Sequence, residues 1–120
     1  MTLRLSEVCI DAADIHALGQ WWATALEWPS EITEDGDVLL RASDGPNWLF
    51  LAVPDDKVGK NRIHFDFTPD DQQAEVDRLI GLGARQVDIG QGEQSWVVLA
   101  DPEGNEFCVL SADSAPMTRE

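Results

Sequence analysis

The sequence predicts an α+β domain in which one plan occurs twice: a strand, then a helix, then several shorter strands. One alternating segment begins at Glu7 and another at His64, 57 positions later, and each leads into a helix-like segment. The later turns repeat as well, with offsets of 57 and 58 between Asp44 and Asp101 and between Asn47 and Asn105. The second half therefore repeats the first with one residue inserted in its last turn.

Length and composition fit a single globular domain spanning residues 1–120. The formal net charge is −15, from 23 acidic residues against 8 lysines and arginines. Such an excess repels phosphate backbones and anionic membranes, so we expect neither nucleic acid nor a membrane as partner. The N-terminus lacks a basic segment followed by an apolar run, and no run approaches the roughly 18 apolar residues of a membrane span. We therefore expect a cytoplasmic protein with reduced thiols.

Two amphipathic segments predict the helices. The first spans 14–26, begins at Asp14 as N-cap and carries an apolar stripe at spacings of three and four, Ile15, Leu18, Trp22 and Leu26. The second spans 69–82, with Thr68 as N-cap and Pro69 in the first helical position. Gly83 suits the left-handed position that ends a helix. The predicted inner stripe of this second helix is Val76, Leu79 and Ile80.

Turn residues divide the remaining chain into short strands, predicted at 37–42, 48–53, 85–88, 95–100 and 106–110. The acidic segments 31–37 and 55–56 are predicted to be solvated loops. Module one then covers about 3–56 and module two about 60–111, and a polar tail follows at 112–120.

Strand alternation sorts the side chains into two faces. One face is apolar and is predicted to pack under the helices: Val8, Ile10, Ile63, Phe65, Phe67, Phe107 and Val109. The opposite face mixes acids, one histidine, two thiols and two rings: Glu7, Cys9, Trp48, Phe50, His64, Asp66, Glu106 and Cys108. A simple core does not hold carboxylates and a histidine together unless something polar meets them. This second face is therefore the candidate site.

Four marks along the chain resemble the vicinal oxygen chelate superfamily, also called the glyoxalase/bleomycin resistance/dioxygenase superfamily. They are the strand-to-helix opening at 7–14, the QWW…LEW segment at 20–28, the NRIHFD strand at 61–66 and the DPEGNE turn at 101–106. The resemblance implies two βαβββ modules whose curved mixed sheets form a cup around a ligand. It also implies a homodimer. Glu27 is a departure, because the family usually has glycine there.

In metal-dependent members of the family, the resemblance places ligands at positions that match Glu7, His64 and Cys108. The third is a departure, because those enzymes carry a carboxylate there, and a fourth position falls near Phe50, which cannot ligate. An ion that prefers oxygen donors binds thiolate poorly. We therefore expect no firmly bound cofactor. The alternative is a divalent Ni, Zn, Mn or Fe ion on Glu7 and His64.

Each remaining candidate has two interpretations. Cys108 and Cys9 are either reactive groups or small buried apolar residues. Trp48, Phe50 and Trp96 either stack on a planar ligand or belong to the core. His64 is either a general base, with Glu7, or a structural group. Asp66 and Glu106 are expected to contact the ligand. The sequence thus predicts a bleomycin resistance-like protein that binds a small organic molecule. The alternative is a metal-dependent lyase, isomerase or ring-cleaving dioxygenase that uses Glu7 and His64.

Overall fold

The computed structural model describes residues 5–54, 57, 59, 61, 63–88 and 95–113, and the following concerns these residues. The chain forms two compact units, Met1–Asp56 and Lys57–Glu120, here called unit one and unit two. Each unit has the order βαβββ and one four-stranded mixed sheet. The predicted α+β class and its repeated plan are therefore confirmed. No helix in the described part of the chain is long and apolar enough to cross a membrane.

Unit one contains the elements β1 (Glu7–Ala12), α1 (Ile15–Leu26), β2 (Ser30–Ile32), β3 (Val38–Leu40) and β4 (Asn47–Ala52). The strands lie in the order β1-β4-β3-β2, with β1 and β4 parallel and the other pairs antiparallel. Asp14 is the N-cap of α1, as predicted, because its Oδ1 accepts a hydrogen bond from the Ala17 N–H at 3.0 Å. The helix ends at Glu27, which adopts the left-handed conformation.

The core of unit one lies between α1 and its sheet. Trp22 of the helix meets Trp48 of β4 edge to face, with ring centroids 5.4 Å apart, and both are buried. Gly19 allows the helix to approach closely, because a Cβ built there would lie 2.7 Å from Cγ1 of Val38. Phe50, which is fully buried, lies beneath the same glycine. The face of the sheet that bears Trp48 and Phe50 is therefore the helix face.

Unit two contains β5 (Phe65–Phe67), α2 (Gln72–Leu82), β6 (Arg85–Gln86), β7 (Val97–Ala100) and β8 (Glu106–Val109). The strands lie in the order β5-β8-β7-β6, with β5 and β8 parallel. The helix lies against β8, and the Gln72 side-chain amide donates to the Val109 carbonyl at 3.1 Å. Gly83 ends α2 in the left-handed conformation, as predicted.

The turn between β7 and β8 is organised by one buried carboxylate. Oδ1 of Asp101 accepts from the backbone N–H groups of Glu103 and Asn105, each at 2.9 Å, and Oδ2 accepts from the Asn105 side chain. Gly104 takes a positive φ of 88°, which costs glycine little. The DPEGN sequence therefore fixes the point at which β8 begins.

Several boundaries differ from the predictions. The N-cap of α2 is Asp71, three residues after the predicted Thr68. Its carboxylate accepts a hydrogen bond from the Ala74 N–H. Ile80 was predicted to be an inner residue of α2 and is 42% exposed. The segment 31–37 was predicted to be a loop, but β2 includes Glu31 and Ile32. The predicted acidic loop 55–56 and the tail from 114 onward lie outside the described residues.

Candidate functional site

In unit one the candidate site is the sheet face opposite α1, here called the distal face. Along β1, Glu7, Cys9 and Asp11 are exposed, whereas the alternate residues Val8 and Ile10 are half-buried. The exposed residues lie opposite Asn47, Leu49 and Leu51 in β4, and Leu39 of β3 follows opposite Leu49. All four of these neighbours are half-buried. The distal face of unit one therefore combines two carboxylates and a thiol on one strand with aliphatic side chains on the next.

Trp48 and Phe50 do not belong to this face, and their predicted position is wrong. The parallel register pairs Trp48 with Val8 and Phe50 with Ile10, so both rings lie on the helix face. They are 6% and 0% exposed, and the Trp48 ring contacts the rings of Trp22 and Trp28. Their burial under α1 favours the core interpretation over ligand stacking.

A difference of one residue in the repeat alignment explains this error. Cys9 and Asp66, which start the comparison, are 57 positions apart, whereas their strand partners Leu49 and Cys108 are 59 apart. The offset of 58 between Asn47 and Asn105, applied at this point, would make Phe50 the counterpart of Cys108. Because side chains alternate with period two, a shift of one residue moves every side chain to the other face. The counterpart of Cys108 in unit one is therefore Leu49 and not Phe50.

In unit two, the name distal face is given to the sheet face that bears Asp66. Asp66 lies opposite Cys108 in β8, and Cys108 lies opposite Val98 in β7. The register confirms that Phe65, Phe67, Phe107 and Val109 share the other face. Asp66 is exposed, whereas Cys108 is buried. Ile63, predicted to share the apolar face, lies before the strand and is 79% exposed.

His64 lies one position before β5 and is half-buried. Its Nε2 is 2.9 Å from the backbone carbonyl oxygen of Asn61. A carbonyl oxygen can only accept, so Nε2 carries the proton in this bond and the lone pair of a neutral ring belongs to Nδ1. The loop that precedes β5 thus determines how the imidazole is oriented.

Glu106 was predicted to contact a ligand, but its carboxylate is bound to the loop before β5. Oε1 accepts from the Asn61 N–H at 2.7 Å, and Oε2 accepts from the Lys57 ammonium at 3.0 Å. Burial alone would raise the pKa of the Glu106 carboxyl. The hydrogen bonds from Asn61 and Lys57 and the charge of Lys57 outweigh burial and hold this pKa below its ordinary value of 4.5. Glu106 is therefore ionised and engaged within unit two.

The two remaining candidates have different surroundings. Trp96 is half-buried and lies in a bend just before β7, because this strand begins at Val97 and not at the predicted residue 95. Cys9 is an exposed free thiol flanked on its own face by the carboxylates of Glu7 and Asp11. Reactive cysteines lie in electropositive surroundings, whereas both of these neighbours are acidic.

Sequence reasoning did not find the residues that organise this part of unit two. Lys57 was not singled out, and Asn61 was noted only as part of a motif. Both contact Glu106, which follows them by 49 and 45 positions. No local sequence pattern predicts a side-chain contact at such a separation. The glutamate at the start of the last strand was the available signal, since a shielded carboxylate requires partners.

The possible metal donors are the His, Cys, Asp and Glu side chains of the described residues. No three His, Cys, Asp or Glu side chains among them are grouped closely enough to hold a metal ion. Within unit two, the positions that match the family's ligands provide an imidazole and a thiol, a donor set suited to softer ions. These donors differ from the carboxylate-containing set that the resemblance implies.

The chain matches a known protein family over most of its length. The family model described as the glyoxalase-like domain matches residues 7–110, which include every strand and both helices. The chain belongs to the glyoxalase-like domain family. The resemblance to the glyoxalase/bleomycin resistance/dioxygenase superfamily is thereby confirmed, and the Asp101 turn and β8 of this glyoxalase-like chain lie within the match.

Solved structures share the fold of this glyoxalase-like chain. One is the fosfomycin resistance protein FosX from Mesorhizobium loti, with a TM-score of 0.72, 13% identity and coverage of 95% of this chain and 94% of that chain. Another is a glyoxalase/bleomycin resistance protein/dioxygenase family enzyme from Burkholderia phytofirmans PsJN. Its TM-score is 0.69 and its identity 19%, over 89% of this chain and 97% of that chain. At such identities the likeness shows the fold alone. No curated protein matches the sequence.

Proposed function

We propose that this glyoxalase-like chain binds a small organic molecule on the distal faces of its sheets, without a firmly bound metal ion. The observation that carries the proposal is the composition of the distal face of unit one. Glu7, Cys9 and Asp11 are exposed on β1, next to the half-buried Leu49 and Leu51 on β4. A strand that exposes polar groups beside an aliphatic surface suits a ligand with both a polar and an apolar part.

The charge of these side chains supports a cationic amphipathic ligand. Glu7 and Asp11 lie on the distal face of unit one, and Asp66 is exposed on that of unit two. The chain as a whole carries a formal charge of −15, which attracts cations to its surface and disfavours phosphate-rich partners. Fosfomycin resistance proteins among the structural neighbours support a role that involves a small molecule.

The donor chemistry supports binding without a firmly held metal. Cys108 is a buried thiol at the position where the resemblance implies a carboxylate ligand, and hard divalent ions favour oxygen donors. The nearest carboxylate on the same strand, Glu106, is already bound by Asn61 and Lys57. The alternative, a metal-dependent lyase, isomerase or dioxygenase, requires Glu7 and His64 to hold the ion. Such an ion would act as a Lewis acid on a bound carbonyl or hydroxyl.

Elemental mass spectrometry separates these two functions. The protein is purified without chelator, offered Ni, Zn, Mn and Fe in turn, and desalted before measurement. We expect substoichiometric metal in the wild type and in Glu7→Ala and His64→Ala alike. A stoichiometric metal that both variants lose would replace this proposal by the metal-dependent one.

Ligand binding is then tested by tryptophan fluorescence with matched pairs of cationic and neutral alkyl amphiphiles. The amphiphiles carry an alkyl part that matches the aliphatic side chains of the distal face. Asp66→Asn removes an exposed carboxylate of the distal face, and Asp70→Asn removes an exposed carboxylate of the same unit that precedes α2. We expect Asp66→Asn to weaken binding of the cationic compounds and Asp70→Asn to leave it unchanged. Equal effects of the two variants would show that only overall charge attracts the compounds.

We propose in addition that the protein is a cytoplasmic homodimer, which the resemblance and the sequence support. Sedimentation equilibrium over a range of protein concentrations tests the dimer. A sedimenting mass of one chain at every concentration would contradict it. Cell fractionation with an antibody tests the location.

A further inference from the structure

Within unit two, two residues that precede β5, Lys57 and Asn61, are hydrogen-bonded to Glu106 of β8. Oε1 of Glu106 accepts from the Asn61 N–H at 2.7 Å, and the Glu106 backbone carbonyl accepts from Nδ2 of Asn61 at 3.2 Å. Asn61 is thus held at two points. Oε2 of Glu106 accepts from Lys57, and the same ammonium donates to the Gly59 carbonyl.

The contacts of Glu106 are shielded from water. The side chains of Lys57 and Glu106 are 19% and 11% exposed, well below those of the ion pairs Arg41–Glu31 and Arg78–Glu75. Exposed ion pairs contribute little, whereas hydrogen bonds to a shielded carboxylate hold their partners more firmly. Glu106 is therefore suited to holding Lys57 and Asn61 in place.

The chain of contacts ends at His64. The Asn61 carbonyl oxygen, on the residue that Glu106 holds, accepts from Nε2–H of His64 at 2.9 Å. If Asn61 keeps its place, the imidazole keeps both its orientation and the tautomer with the proton on Nε2. We propose that Glu106 is a positioning residue, which fixes the tautomer and orientation of His64 through Asn61, so that Nδ1 is the ring atom that carries the lone pair. This inference rests on the proposed function in that it prepares His64 to meet the bound molecule.

Nitrogen-15 NMR of the histidine ring tests this inference without any ligand. The spectra are recorded on chelator-treated protein at mildly alkaline pH. The chain has two histidines, so His64→Ala assigns the signals. His16, exposed in the first turn of α1, is the internal control. In the wild type we expect His64 to have a protonated Nε2 and a pyridine-like Nδ1.

Substitutions of Glu106 provide the comparison. Glu106→Leu removes both acceptors, and we expect the preference of His64 for the Nε2–H tautomer to fall by up to about tenfold, the effect of one net hydrogen bond. Glu106→Gln keeps an oxygen for the Asn61 N–H and should leave most of the preference. Glu75→Gln, which breaks the exposed pair with Arg78 on α2, should change nothing at His64. An unchanged His64 spectrum in folded Glu106→Leu would overturn the inference.

Two further measurements make the test decisive. If Glu106→Leu does not fold, Asn61→Ala takes its place, because it removes the side-chain bond to the Glu106 carbonyl and keeps the backbone N–H that Glu106 binds. We then expect a smaller fall in the preference of His64 for the Nε2–H tautomer. An unchanged preference in Asn61→Ala would overturn the inference. If a ligand is found, Glu106→Leu should weaken its binding as His64→Ala does. If no compound binds while the spectra behave as expected, the proposed function fails and the positioning role stands.

Discussion

Replacing Glu27 by glycine should stabilise the protein. Glu27 follows α1 with φ 58° and ψ 41°, the left-handed conformation, and its N–H donates to the Ala23 carbonyl in the manner of a helix C-cap. An L-residue pays about 1–2 kcal/mol in this conformation, because its Cβ approaches the following carbonyl oxygen. Glycine avoids that cost but loses about 0.5–1 kcal/mol in chain entropy on folding. The expected backbone gain is therefore about 0.8 kcal/mol, or ~3 °C in Tm for a chain of this size, and loss of the carboxylate adds the contribution that the alanine control measures.

The matched control for this substitution is Glu27→Ala. It removes the carboxylate from the negative end of the α1 dipole, a gain of about 0.3–1 kcal/mol, but keeps the Cβ and its strain. Urea unfolding followed by circular dichroism gives the free energy of unfolding of all three proteins. The difference between the glycine and alanine variants isolates the backbone contribution. If Glu27→Gly is no more stable than Glu27→Ala, the left-handed strain at this position does not exist in solution.

Three further predictions use the same unfolding assay. Gly19→Ala should cost about 1–3 kcal/mol, because the new Cβ would lie 2.7 Å from the side chain of Val38. Its control, Gly81→Ala on α2, meets nothing within 4 Å and should gain about 0.5–1 kcal/mol, and equal effects would contradict the close packing of α1. Phe50→Ala should cost about 3–5 kcal/mol, since the ring is fully buried, and a loss below ~1 kcal/mol would contradict its place in the core. The folded pKa of Glu106 lies below 4.5, so this carboxylate stabilises the fold above that pH and the contribution disappears as the pH falls through the lower folded pKa. Glu106→Gln should reduce the loss of unfolding free energy as the pH falls. If this loss is unchanged, groups other than Glu106 cause it.

The features that could be predicted from the sequence depend on local chemistry. The first helix followed from an apolar stripe and one N-cap aspartate, and the last turn followed from an aspartate that satisfies nearby backbone donors. The start of α2 could not be predicted in the same way. Thr68 and Asp71 are both good N-caps within three residues of one another, and their local preferences are similar. Tertiary packing, which leaves Pro69 buried before the helix, decides between them.

Strand register was beyond local reasoning. The partner of Cys9 in a parallel pair lies forty positions later, across a helix and two strands, and the length of each connection changes the register. A short exposed strand such as β2, rich in polar residues, gives almost no periodic signal. In unit two the face assignment was correct because β5 and β8 each alternate clearly on their own. In unit one Trp48 and Phe50 were predicted to share the face of Cys9, which amounts to a shift of one residue along β4.

For the proposed function, that shift changes the kind of ligand expected on the distal face. With Trp48 and Phe50 on it, the face would offer two rings for stacking on a flat aromatic ligand. With Leu49 and Leu51 instead, the face offers an aliphatic surface bordered by carboxylates. The carboxylates attract positive charge and do not require a planar ligand. The same shift replaces Phe50 by Leu49 as the counterpart of Cys108, so neither strand carries an oxygen donor at this position. The corrected register thus favours a cationic amphiphile over a flat ring system, and it leaves the argument against a hard metal ion unchanged.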